Sequence, residues 1–348
     1  MGDESDRRRF LRLAAGASLP PGLFMVRSGR VIPRVIASED VLNHIDVRIE
    51  QITGAYERTP IGATSVYLRR HLPAVRSLLA EGGHPTAVDA RLHRAAGRLA
   101  ALWATTRHDL GDIPGATAAF AEAFGHAEEA RDRTLQCWVR LWQSSLARKS
   151  GRLTSALALA RAATSHVGAG SPAASRAAAI EARTLGALGE RAGVHEAINR
   201  AWRIQGTLSR AQSGNPGFSI DTLHMLTLAE LSAAAYVELG QPDAASVYTD
   251  ASVHHLDVAG ATGLRSMARI AAATAALYRH HVDEAEALVT EALDISEHRP
   301  NAVMVTRTHR FLADARRIAG RRQGTNNIAE RLDTWTLPSL PSLPSLPR

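Results

Sequence analysis

One cysteine, Cys137, stands in 348 residues, so no disulfide can form within the chain. It lies in Leu135-Gln136-Cys137-Trp138 inside a predicted helix and reads as a small core residue. Aromatic residues make up 5% of the chain; with so few of them and few β-branched runs, there is little to build strands from. No apolar run reaches the roughly 18 residues that a membrane-spanning helix needs, so no membrane span is expected. Catalytic signatures are missing too. There is no His-Glu-x-x-His, no glycine-rich phosphate loop ending in Lys-Ser or Lys-Thr, and no Gly-x-Ser-x-Gly, so the motif-bearing enzyme classes find no support. The paired histidines, His254-His255 and His280-His281, are adjacent. Adjacent helical side chains diverge by about 100° and cannot close on one metal as an i, i+4 pair does. We expect no metal, no cofactor and no enzyme.

Hydrophobic residues are 45% of the chain and are carried mainly by alanine and leucine, the best helix formers. The expected fold is all-α. The net charge of +7 and the pI near 10.4 come almost entirely from arginine. Such a balance suits anionic partners, but scattered arginines on solvated faces account for it equally, and a nucleic-acid footprint needs a clustered stripe. Nucleic acid is therefore not expected as a partner without an added domain. The alternative is binding through the arginine-rich ends, Arg7–Arg12 and Arg316–Arg331.

A period runs through the body. Helix breaks read at Gly111, Gly151, Ala192, Gly240 and His280 are 40, 41, 48 and 40 residues apart. Five residues after each comes Ala116, Ala156, Ala197, Ala245 and Ala285, and twelve after each comes Ala123, Ala163, Ile204, Ser252 and Ala292. A fixed period of this size marks an array of helical hairpins, and a small residue lets two antiparallel helices approach closely. The spacing predicts helix pairs Thr86–His108 with Pro114–Ala130, Thr134–Arg148 with Leu153–Ser165, Pro172–Arg191 with His195–Arg210, Thr222–Leu239 with Asp243–Asp257, and Leu264–Tyr278 with Asp283–Glu297. Asp283 is the expected N-cap of its helix. Val41–Arg58 and Ile61–Ala80 precede the array as a capping hairpin, Ala302–Ala319 covers its far end, and a loop at Ser213-Gly214-Asn215-Pro216-Gly217 lengthens one interval. The domains expected are a basic or signal-like segment over 1–39, a helical repeat domain over 40–320, and a disordered Leu-Pro-Ser tail over 321–348.

The first segment, Asp6-Arg7-Arg8-Arg9-Phe10-Leu11-Arg12 followed by a mildly apolar stretch, resembles a twin-arginine export signal. Pro20 and Pro21 interrupt that stretch. A cytoplasmic location is expected, with twin-arginine export as the alternative.

Gly151-Arg152-Leu153-Thr154-Ser155-Ala156 and His280-His281-Val282-Asp283-Glu284-Ala285 resemble the inter-helix segment of tetratricopeptide repeats, at longer than the standard period. Trp103-Ala104-Thr105-Thr106-Arg107-His108-Asp109-Leu110-Gly111-Asp112 is similar to a stretch in the C-terminal sensor region of high-GC bacterial helix-turn-helix (XRE-type) transcriptional regulators. About forty residues precede the array, too few for the DNA-binding domain of such regulators. The resemblance therefore implies either a sensor region without its reader or a chain whose start lies upstream. It also implies a tetratricopeptide-like α-solenoid whose first helices line a concave groove. Carried over by offset from each break, the inward positions are Arg98, Thr105 and His108, then Trp138, Ser145 and Arg148, then Thr227, Glu230 and Glu238, then Met267 and Thr274. Arg98, Arg148 and Trp138 near one end with Glu230 and Glu238 further along would suit an extended peptide, since arginine and tryptophan concentrate binding energy. Trp138 reads equally as a packing residue between hairpins. The function so implied is regulatory or scaffolding, in transcriptional or signalling control, through a peptide, a partner protein or a small molecule. A homodimer is compatible with it.

Overall fold

A computed structural model describes residues 37–335 and residue 337. The export-like segment and most of the Leu-Pro-Ser repeats lie outside these. Fifteen helices and no strand are found among the described residues: α1 (Glu39–Ala55), α2 (Ile61–Glu81), α3 (Thr86–Asp109), α4 (Ile113–Glu129), α5 (Arg133–Lys149), α6 (Leu153–Thr164), α7 (Pro172–Leu188), α8 (Arg191–Gln205), α9 (Arg210–Ser213), α10 (Met225–Glu238), α11 (Pro242–Ala259), α12 (Thr262–Tyr278), α13 (Val282–Ser296), α14 (Ala302–Ala319) and α15 (Gln323–Asp333). The chain is all-α, and none of these helices is long and apolar enough to cross a membrane.

The turns follow one local rule. After Gly111, Gly151, Gly189, Gly240 and His280, which have positive φ, the next backbone N–H donates to the carbonyl five residues back, each time at 2.9 Å: Asp112 to Arg107, Arg152 to Ala147, Glu190 to Leu185, Gln241 to Tyr236 and His281 to Ala276. This bond closes a helix on a left-handed residue. It sets the third break at Gly189, three residues before the expected Ala192. Counted from Gly189, the small-residue rule gives Val194 and Ala201 in place of Ala197 and Ile204. Both Val194 and Ala201 are buried, whereas Ile204 is half-exposed. His280 takes the left-handed turn at φ 66 without being glycine, an uncommon conformation for a side-chain-bearing residue.

Positions five, nine and twelve after each break are spaced four and three apart and so share one helix face. They read Ala116, Phe120, Ala123; Ala156, Ala160, Ala163; Val194, Ile198, Ala201; Ala245, Thr249, Ser252; and Ala285, Val289, Ala292, and all are buried. Through this face α4 packs on α3, α6 on α5, α8 on α7, α11 on α10 and α13 on α12. The first members of the pairs also stack on one another, α3 on α5, α5 on α7, α7 on α10, α10 on α12 and α12 on α14, and α14 returns to touch α3.

Three expectations need correction. Helices α1 and α2 both pack chiefly on α3 rather than forming a hairpin with each other. Asp283 lies inside the first turn of α13, and His281 holds the cap position without a side-chain bond to the helix backbone; the acid acts there on the helix dipole. The tail does not begin at 321. Helix α15 follows, with Thr325, Ile328 and Leu332 buried against α13 and α14, because its apolar positions recur at helical spacing.

The loop after α9 is drawn inward as well. Ile220 and Leu223 are buried, and Phe218 packs on Tyr56 and Trp138 with ring centroids 4.5 and 5.7 Å apart. Asp221 accepts two hydrogen bonds of 2.7 Å from Arg98. An insertion that reads as a surface loop is thus held against the stacked first helices.

Candidate ligand cavity

The stacked helices line a cavity of about 240 Å³ that is partly open to solvent. Its walls come from α3, α5, α7, α10, α12 and the start of α14, from Tyr56 and Glu57 after α1, and from Gly217, Phe218 and Ser219 of the inserted loop. No second helix of a pair contributes to it. On α5 the lining residues are Trp138, Leu141, Trp142, Ser145, Arg148 and Lys149, one face at spacings of three and four.

Eight of the eleven residues singled out from the sequence line this space: Thr105, His108, Trp138, Ser145, Arg148, Thr227, Glu230 and Met267. Trp138 is also packed, 3% exposed, tilted against Phe120 and Trp142 and edge-on to Phe218, with its Nε1 donating to the Ser219 carbonyl at 3.2 Å. The other three are elsewhere. Arg98 is engaged by Asp221. Thr274 bonds back to the Ile270 carbonyl at 2.8 Å, as a helical threonine without an outside partner does. Glu238 sits behind the wall and accepts from Arg148 at 2.6 Å and from Arg183 at 2.8 Å. The arginines and glutamates expected at opposite ends of a groove are therefore partly paired with each other.

Sequence reasoning missed Arg176 and Arg183 on α7, and the misplaced break was the cause. They stand thirteen and six residues before Gly189, the offsets that carry Trp138 and Ser145 before Gly151. Lys149, Trp142, Asp109 and Arg307 also escaped. For Lys149, Trp142 and Asp109 the signal was the helical spacing from residues already named, one or four positions away; Arg307, on α14, has no such neighbour.

The cavity lining holds six basic side chains, Arg148, Lys149, Arg176, Arg183, Arg299 and Arg307, against three acidic ones, Glu57, Asp109 and Glu230. Arg307 donates to Glu230 at 3.0 Å. Asp109 accepts from Tyr56 and Arg299, both at 3.0 Å, tying the turn after α1 and the entry to α14 onto α3. Burial works to raise the Asp109 carboxyl, but neighbouring His108 and Arg299 hold it below its ordinary value. Burial and the Asp109 charge push the Tyr56 phenol well up. Burial also raises the Glu57 carboxyl.

Among the described residues, two of these cations have no carboxylate ion-paired with them. Arg176 donates to the carbonyls of Ser219 at 3.1 Å and Thr222 at 2.6 Å, and burial lowers it to about 10. Lys149 lies with its Nζ 2.6 Å from His108 Nε2. Burial and the charges of Arg307, Arg148 and Arg183 lower it to about 7. A partly apolar cavity whose lining holds more cations than carboxylates is suited to an organic anion.

Among the described residues no cluster of three or more His, Cys, Asp or Glu side chains is placed to hold a metal ion. His254, His255, His280 and His281 are exposed. Cys137 is buried, and its thiol is pushed up to about 12 by burial. The chain matches no family model and no curated protein.

Proposed function

We propose that this chain is a non-enzymatic regulatory protein, a tetratricopeptide-like α-solenoid that binds a small anionic molecule or the end of a peptide within its inner face. The observation that carries the reading is the composition of the cavity: every first helix from α3 to α14 contributes, and basic side chains outnumber acidic ones two to one. Occupancy would bridge α3, α5, α7, α10, α12 and α14, so a ligand would draw the two ends of the array together. In an array where each unit contacts chiefly its neighbours, such bridging changes curvature and exposed surface. Transcriptional or signalling control is the setting the sequence resemblance supports.

The test is a thermal-shift screen with small carboxylates, organophosphates and short peptides, followed by hydrogen exchange on any hit. A ligand at a hundred times its Kd stabilises the folded chain by about 2.7 kcal/mol. Protection should gather on α5, α7 and α14. A screen in which no anion shifts the melt, or in which hits protect only the second helices, would sink the reading. Nucleic-acid binding through the C-terminal arginines draws less support, since Arg317, Arg322 and Arg331 are paired with Asp314, Glu286 and Asp294.

A further inference from the structure

The chain has forty arginines and a single lysine, Lys149. It ends α5, is exposed, and lines the cavity. Its Nζ lies 2.6 Å from His108 Nε2, and His108 Nδ1 faces Asp109 Oδ1 at 3.6 Å. Asp109 in turn is fixed by Tyr56 and Arg299. Among the described residues no carboxylate is ion-paired with Lys149. The charged groups that face it are Arg148 on its own helix, Arg183 on α7, Arg307 on α14 and Asp109 on α3. A nucleophile beside a base is a recurrent arrangement for covalent chemistry.

We propose that Lys149 is a covalent capture site, its amine forming a reversible imine with an aldehyde or ketone that carries an anionic group on a compact apolar body. This rests on the cavity being a ligand site. An arginine could not serve, because a guanidinium stays protonated in proteins. Lys149 as a whole is exposed, but its Nζ is part-buried against His108, and the desolvation there with the three arginines lowers the ammonium to about 7. A large share is therefore free base at neutral pH. Burial and the lysine charge likewise keep His108 below its ordinary value, so its imidazole can accept a proton. In the reaction Nζ attacks the carbonyl carbon, a C–N bond forms as the C=O π bond opens, and His108 relays one Nζ proton to the carbonyl oxygen, giving a neutral carbinolamine. His108 then takes the second Nζ proton and delivers it to the departing hydroxyl, so the C–O bond breaks and one water leaves as the C=N bond forms. Nothing is oxidised or reduced. The anionic group is drawn by the surplus of cations, and the apolar body packs on Trp138, Leu141 and Trp142.

The test uses the full chain and 4-formylbenzoate with cyanoborohydride, which reduces the imine to a stable amine. Peptide mass mapping reads the label at Lys149, with the N-terminal amine as internal standard. At pH 7 native Lys149 should label at least about ten-fold faster than in the guanidinium-unfolded chain, where its pKa returns to about 10.4. The rate should rise between about pH 6 and 8 and then level, and Lys149→Arg should lose the internal label. Labelling no faster in the native chain than in the unfolded one overturns the inference. Stabilisation by 4-methylbenzoate, which has no aldehyde, reports the cavity separately. If that acid stabilises the chain while Lys149 labels slowly, the imine falls and the cavity reading stands. If it does not stabilise and no fast label forms, both fall.

Discussion

Glu238 carries the charge balance behind the cavity, and neutralising it probes the energetics of this buried group. Its carboxylate is shared by Arg148 and Arg183 at 2.6 and 2.8 Å, and the three side chains are 8%, 8% and 11% exposed. Glu238→Gln preserves shape but leaves two enclosed guanidinium groups without an anion. Removing one partner of a buried ion pair costs about 3–5 kcal/mol. Glutamine can still accept one of the two hydrogen bonds, so the lower end, about 3 kcal/mol, is expected, and Glu238→Leu should fall near the upper end. At about 2–4 °C per kcal/mol, Glu238→Gln should melt roughly 6–12 °C below the parent. Replacing all three by apolar residues (Glu238→Leu with Arg148→Met and Arg183→Met) should recover most of the loss, since no charge then remains unpaired. The pH dependence has a definite sign. Burial opposes ionisation of Glu238, but Arg183 and Arg148 hold its carboxyl below 4.5. The contribution is therefore present above about pH 4.5 and lost as pH falls through the folded value. The gap between parent and Glu238→Gln in urea unfolding should be full at pH 7 and close progressively below that point. A Glu238→Gln protein within about 0.5 kcal/mol of the parent at pH 7 would refute the reasoning, and would mean that cavity water solvates both arginines.

Two further outcomes rest on packing and titration. Ala156 and Ala285 are fully buried where paired helices meet, and the Ala156 carbonyl accepts from Ser144 Oγ at 2.7 Å; Leu at either position should cost about 1–3 kcal/mol by overpacking. Substituting exposed Ser155 or Glu284 should cost within about 0.5 kcal/mol, so equal melts across all four variants would show that the helix faces are misassigned. Burial and the charge of Arg70 lower His71 to about 4, and His93, His108, His166 and His224 are also held below 6.5, chiefly by burial. The unfolded chain binds more protons as pH falls from about 6.5 toward 4, so stability should drop across that window. A urea midpoint unchanged between pH 7 and 5 would contradict it, and His71→Asn should flatten part of the slope.

The cavity residues divide by how far their signal travels along the chain. Trp138, Ser145 and Arg148 could be placed from one turn, because helix phase carries a side chain's direction over three or four turns. Arg176 and Arg183 obey the same phase and were lost only through a three-residue error at Gly189. Whether Arg148 meets solvent, a ligand or Glu238 was not legible. That partner lies 90 residues away, and small changes in helix superposition would bring a different side chain opposite.

By itself the sequence determined most of the helices, four of the five breaks and the faces that pack beside them. Alanine and leucine at helical spacing, and a left-handed residue at each break, act within a few residues and need no distant partner. Tertiary structure alone decided that α14 touches α3, and that the loop after α9 folds against Trp138 and Arg176. It also decided that the single lysine faces His108 across 41 residues of chain. Those contacts depend on the accumulated rotation from one helix pair to the next, which no local pattern encodes.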